Sequence, residues 1–195
     1  MIQATHFAVD PGWKILLKDL NINTFELLRR AGLPEDIFTR KNAVVSAKEY
    51  FMLWKSLADT SDDPSFPLHI GNMIQVEAFS PPIFAAFCSP NMTVAIERLK
   101  KYKQLIGPMV LNIESDSNTT SIMIDCLYKD QPIPDSLVAM ELVFITHLFR
   151  LAARERIIPI NVISTTPIVQ GRDYTDYFGM KPGLNKINSL QFSKK

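Results

Sequence analysis

At Gly107-Pro108 the hydrophobic period of this chain changes, and no other feature constrains the fold as much. Upstream, apolar residues recur at three- and four-residue intervals; downstream they alternate with polar ones. V-L-N-I-E-S and S-I-M-I-D-C-L read as strands in which Leu111 and Ile113 alternate with Asn112 and Glu114, and Ile122 and Ile124 with Met123 and Asp125. The polar D-S-N-T-T between them makes the pair a hairpin. Pro132 and Pro134 then lead into a long helix, S-L-V-A-M-E-L-V-F-I-T-H-L-F-R-L-A-A-R-E. I-N-V-I-S predicts a third strand, Y-T-D-Y-F-G a short helical turn and N-S-L-Q-F a last strand. The order β-β-α-β-β predicts an α+β fold. Its sheet is antiparallel or mixed, with the long helix on one face and a helical N-terminal half packed beside it. The expected division is a helical subdomain over 1–106 and a β-β-α-β-β subdomain over 107–195, together one domain.

The upstream helices carry their own start and stop signals. In N-T-F-E-L-L-R-R-A-G-L-P, Asn23 can cap the first turn with Glu26 as its partner, and Phe25, Leu28 and Ala31 supply apolar contacts. Gly32 suits a left-handed C-terminal position, and Pro34 prevents continuation. Ser46 and Glu49 form a second capping box ahead of Tyr50, Leu53, Trp54 and Leu57 at helical spacing. F-P-L-H-I-G-N-M-I and E-A-F-S-P-P-I-F-A-A-F-C predict two short helices. In S-P-N-M-T-V-A-I-E-R-L-K-K-Y-K-Q-L either Ser89 or Asn91 is the cap. Met92, Ala95, Ile96, Leu99, Tyr102 and Ile106 form its apolar stripe, while Glu97, Lys100, Lys101 and Gln104 face away.

That last helix also carries Arg98, Lys100, Lys101 and Lys103, which raises the question of nucleic acid. The whole chain has a net charge of only +1, and binding through phosphates needs a clear basic excess. The helix therefore reads as an outer amphipathic one. Catalytic and metal-binding patterns are missing. There is no Gly-rich phosphate loop, and His6, His69 and His147 are scattered without metal-ligand spacing. Cys88 and His69 lack any orienting motif for nucleophilic catalysis. No enzyme activity and no cofactor are expected. Cys88 and Cys126 predict two buried thiols and no disulfide framework. Asp10, Pro11 and Gly12 interrupt what would be a signal-peptide core. No run of about 18 uncharged apolar residues predicts a membrane-spanning helix.

One polar placement in the long helix stands out. Ser136, His147, Arg150 and Arg154 share one face, while Leu137, Phe144, Ile145, Leu148 and Ala152 share the other. Glu141 falls in the middle of the apolar face. A carboxylate there must meet water, pair with a nearby Lys or Arg, or face a ligand, because an unpaired buried charge is costly.

Four segments, in this order and spacing, give the chain as a whole a resemblance. L-L-R-R-A-G-L-P (27–34), P-L-H-I-G (67–71), S-P-N-M-T-V-A-I-E-R-L-K-K-Y (89–102) and Y-T-D-Y-F-G-M-K-P-G-L-N-K-I-N-S-L-Q-F (174–192) resemble the N-terminal effector-binding domain of AraC/XylS-family bacterial transcription regulators. The type is the arabinose-binding-like or ornithine-regulator-like one, and the likeness runs from about residue 13 to 192. It departs at Asn91 and Val94, where the family has threonine and an acid, so half of that capping box is lost. The resemblance implies a cytoplasmic, homodimerising domain that senses a small-molecule effector. It also implies that DNA is contacted through a C-terminal helix-turn-helix domain, absent from this sequence. A pocket is expected where the helical half meets the sheet, with Phe84, Phe87 and Tyr102 for apolar contact, Glu141 for an amine or hydroxyl donor and His147 for an adjustable hydrogen bond. Competing readings are a ligand-free dimerisation domain and, beyond it, a haem or gas sensor or an enzyme.

Overall fold

The computed structural model describes residues 5–74, 80–128 and 131–194. Its elements run β1 (His6–Ala8), α1 (Gly12–Asp19), α2 (Thr24–Ala31), β2 (Val44–Ser46), α3 (Ala47–Thr60), α4 (Phe66–Met73), α5 (Pro81–Phe87) and α6 (Met92–Lys103) in the first half. The second half holds β3 (Met109–Ser115), β4 (Thr119–Cys126), α7 (Asp135–Ala153), β5 (Asn161–Ser164), α8 (Arg172–Phe178), β6 (Gly183–Leu184) and β7 (Asn188–Ser193). The fold is α+β, helical ahead of Gly107 and organised around a sheet after it.

The helix ends follow from their capping chemistry. Ser46 accepts from the Glu49 N–H while Glu49 accepts from the Ser46 N–H, a complete capping box on α3. On α2, Asn23 accepts from Glu26 N–H, but the Glu26 carboxylate turns away to Arg29 and Arg30. Gly32 ends α2 with φ of 66°, where a β-carbon would be strained. Asn91 is the cap of α6, accepting from Val94 N–H at 2.9 Å.

The sheet has the order β3-β4-β7-β5-β6, antiparallel except for the β5–β6 pair, and is therefore mixed. The registers Leu111↔Ile124, Ile122↔Leu190 and Val162↔Leu190 place these residues on one buried face. The long helix α7 lies against that face, with Phe149 edge-on to Phe192 at 5.1 Å. On its other sides α3, α4 and α5 cover it. Gly71 permits the close approach of α4: a β-carbon there would lie 2.8 Å from Val143 Cγ1 and 3.0 Å from the Met140 carbonyl oxygen.

Several expectations need correction. The first half is not purely helical, since β1 and β2 form a two-stranded antiparallel pair. Phe25 is exposed, and Leu27, Leu28 and Ala31 turn inward instead. The opposite-face reading of α7 fails at both poles. Ser136 is buried and donates to the Trp54 carbonyl at 3.0 Å, while Ala152 is exposed. Helices cover this element nearly all round, so its mid-section has no solvent face. Neither cysteine is in a disulfide; Cys126 is buried, but Cys88, at the C-terminal end of α5, is exposed. By length and composition α7 could cross a membrane despite Glu141 and Arg150; 72% of its apolar window is instead buried inside this protein. Glu77, Ala78 and Phe79 of the predicted α5 segment lie outside the described residues.

Candidate functional site

The sequence places a lysine and a glutamate where neither meets water. Lys103 ends α6 one turn beyond Leu99, on the line of the apolar stripe, and is 4% exposed. Glu141 stands mid-way along α7 and is 1% exposed. Their side chains meet: Lys103 Nζ donates to Glu141 Oε1 at 2.7 Å. Removing two charges from water costs several kcal/mol per ion, which only close pairing can offset. The ammonium also lies 5.1 Å from the centre of the Phe144 ring, a favourable cation–π placement.

The pair leaves something over. Glu141 Oε2 is buried and has no hydrogen-bond partner in the protein. Such an atom is uncommon in folded proteins and marks strain or a place where something else binds. Around it stand aromatic groups from α3. Burial, and then the nearby Glu141 charge, push the Tyr50 phenol well above its ordinary pKa, so it stays a neutral O–H. The Trp54 indole approaches that hydroxyl without a full hydrogen bond. Tyr50 is edge-on to Phe7 at 6.1 Å, and Trp54 is edge-on to Trp13 at 5.7 Å.

The other anticipated residues lie in different settings. Phe84 is 48% exposed on α5, with Phe87 half-buried beside it at 6.4 Å. Tyr102 is half-buried, and the Lys101 ammonium lies 5.3 Å from its ring. His147 is also half-buried and bonds through Nε2 to the Ile74 carbonyl at 3.0 Å. Burial lowers the His147 pKa and favours the neutral ring, which then donates through Nε2–H. Of the five, Glu141 has the buried charged partner.

Sequence reasoning missed Lys103, Tyr50 and Trp54 as site residues. For Lys103 a signal existed: Ile96, Leu99 and Lys103 follow the i, i+3, i+7 spacing of one helix face. A lysine on one apolar stripe and a glutamate on another are each expensive alone and tolerable together.

None of the five anticipated residues lines either of two clefts found among the described residues. One, of about 330 Å³, is walled by Thr5, His6, Ser46, Ala47, Lys48, Tyr128 and Gln131. The other, of about 230 Å³, lies between the start of α6 and the end of α7, beside Asn91, Ala95, Phe149 and Ala153. The first adjoins the start of α3. Ser46 and Ala47 precede Tyr50 by four and three residues, which places them on its helix face.

Residues 23–194 match the family described as the arabinose-binding domain of AraC transcription regulator, N-terminal. No curated protein matches the chain.

Proposed function

The chain belongs to the family of N-terminal arabinose-binding domains of AraC transcription regulators, and on that basis we propose that it is the effector-sensing half of such a regulator. It binds a small metabolite in the cytoplasm and transmits occupancy to a DNA-binding domain. It acts as a regulator and not as a catalyst. The observation that carries the reading is the buried Lys103–Glu141 pair with its unpartnered oxygen. A stability-driven core would dispense with both charges, since apolar residues of similar volume serve at least as well. Their presence supports a recognition role.

The reading includes a homodimer. The half-exposed side chains of Leu184, on the sheet-edge strand β6, and Ile187 support a second copy at that edge. It also treats residues 1–106 and 107–195 as two subdomains of one sensing unit. Support comes from the way α3, α4 and α5 of the first close over α7 of the second. Phe84, Phe87, Tyr102 and His147 are retained as outer contacts for a larger effector.

The test is a thermal-shift screen of the purified chain against amino acids, polyamines, fatty acids and sugars. A specific ligand raises the melting temperature progressively with its concentration, contributing about 2.7 kcal/mol of stabilisation at a hundredfold excess over Kd. A flat response across these four classes and across the small ring compounds compared below sinks the sensing role.

A further inference from the structure

The chemistry around Glu141 narrows the effector's class, an inference that rests on the sensing role above. Lys103 and Glu141 cancel each other's charge in a place water does not reach. A ligand carrying net charge would leave one charge there uncompensated; an uncharged ligand would not. Glu141 Oε1 is already engaged, and the free acceptor is Oε2. The complementary group is therefore a donor. A hydroxyl suits both members of the pair, because it donates to a carboxylate and accepts from a further N–H of an ammonium that has three. The surroundings add shape. The Phe144 ring lies beside the Lys103 ammonium and the Tyr50 phenol lies near Glu141, an aromatic setting that suits a ring-bearing ligand.

Access follows from α3. The cleft beside Ser46 and Ala47 lies one helical turn from Tyr50, and Tyr50 in turn lies near the Glu141 carboxylate. On the far side is Gly107, buried, whose absent β-carbon would sit 3.6 Å from the Tyr50 hydroxyl oxygen. From that side no side chain covers the Tyr50 hydroxyl. We propose that the Lys103–Glu141 pair recognises an uncharged aromatic alcohol, which enters from the cleft at the start of α3 by displacing Tyr50.

The experiment compares four ring compounds of matched size, namely benzyl alcohol, benzylamine, benzoate and toluene, by melting temperature and equilibrium binding. They are applied to the wild-type chain, to Lys103→Met/Glu141→Leu and to Gly107→Val. The double variant replaces the pair by apolar residues, an exchange that buried ion pairs generally tolerate. Gly107→Val keeps both charges and fills the space beside Tyr50, so it carries the comparison if the double variant does not fold. Benzyl alcohol alone is expected to bind the wild type, and either variant to weaken it about tenfold or more. Equal binding of benzoate, benzylamine or toluene overturns the inference, and so does the absence of any response to benzyl alcohol. If a metabolite from the wider screen stabilises wild type and double variant alike, the sensing role stands and this recognition scheme falls. If nothing in either set stabilises the protein, both fall.

Discussion

Lys103 and Glu141, from helices on opposite sides of the period change at Gly107, form a 2.7 Å ion pair at 4% and 1% exposure. The pair links the last turn of α6 to the middle of α7, and so joins the helical half to the element that lies on the sheet. Breaking it from one side leaves a lone buried charge. Lys103→Met or Glu141→Leu alone should each cost about 3–5 kcal/mol in urea unfolding. The double variant should recover most of that loss. Additive losses would show that the two charges do not interact as described.

Gly71 predicts a second cost. Alanine there places its β-carbon within 3.0 Å of Val143 and of the Met140 backbone, so α4 must move away from α7. Gly71→Ala should destabilise by about 1–3 kcal/mol. Val143→Ala should restore part of it, since the nearest clashing atoms belong to that side chain. An unchanged denaturation midpoint in Gly71→Ala contradicts the close helix contact.

Capping gives a third. Ser46 and Glu49 satisfy each other's backbone N–H groups at the start of α3. Ser46→Ala should cost about 1 kcal/mol. The Ser46 hydrogen bonds hold the Glu49 carboxyl below its ordinary pKa. This contribution is present above the unfolded carboxylate pKa and is lost as the pH falls through the lower folded value. In Ser46→Ala the Glu49 pKa, followed by NMR, should move back up.

How far all this was legible from the residues depends on the interaction. Helices α2 to α7, the hairpin and the sequence of elements in the second half follow from period and caps, which are local; α1 and the two-residue β6, which carry no such signal and go unpredicted, do not. The β1–β2 pair does not, because His6–Ala8 and Val44–Ser46 are each three residues long and pair across a gap of more than thirty. α7 misled for a different reason. The first three turns of α7 are enclosed and have no amphipathic face to find, so Ser136 gave a false surface, while His147 and Arg150 further along keep partial exposure. Glu141 declared itself as an anomaly on an apolar face. Its partner did not, because Lys103 sits among Lys100 and Lys101 and shares their composition but not their direction.

His147 makes the protein's acid response specific. Its folded pKa is lowered by burial, so the folded state takes up its proton later than the unfolded chain does. Stability contributed by the neutral ring is full above the unfolded histidine pKa of about 6.5 and declines as the pH falls below it. His147→Gln, which can still donate to the Ile74 carbonyl, should flatten the stability profile between about pH 7 and 5. A profile identical to wild type would assign the acid sensitivity elsewhere.

The two tryptophans of the chain, Trp13 and Trp54, stand edge-to-face, and the fully buried Trp54 approaches the Tyr50 hydroxyl near Glu141. Intrinsic emission therefore reports on the site directly. The decisive measurement is a fluorescence titration with whichever metabolite raises the melting temperature, in a Trp13→Phe background so that Trp54 alone is seen. The account predicts a saturable change in Trp54 emission that disappears in Lys103→Met/Glu141→Leu. A stabilising metabolite that leaves Trp54 emission unchanged, or changes it equally in the double variant, would contradict it.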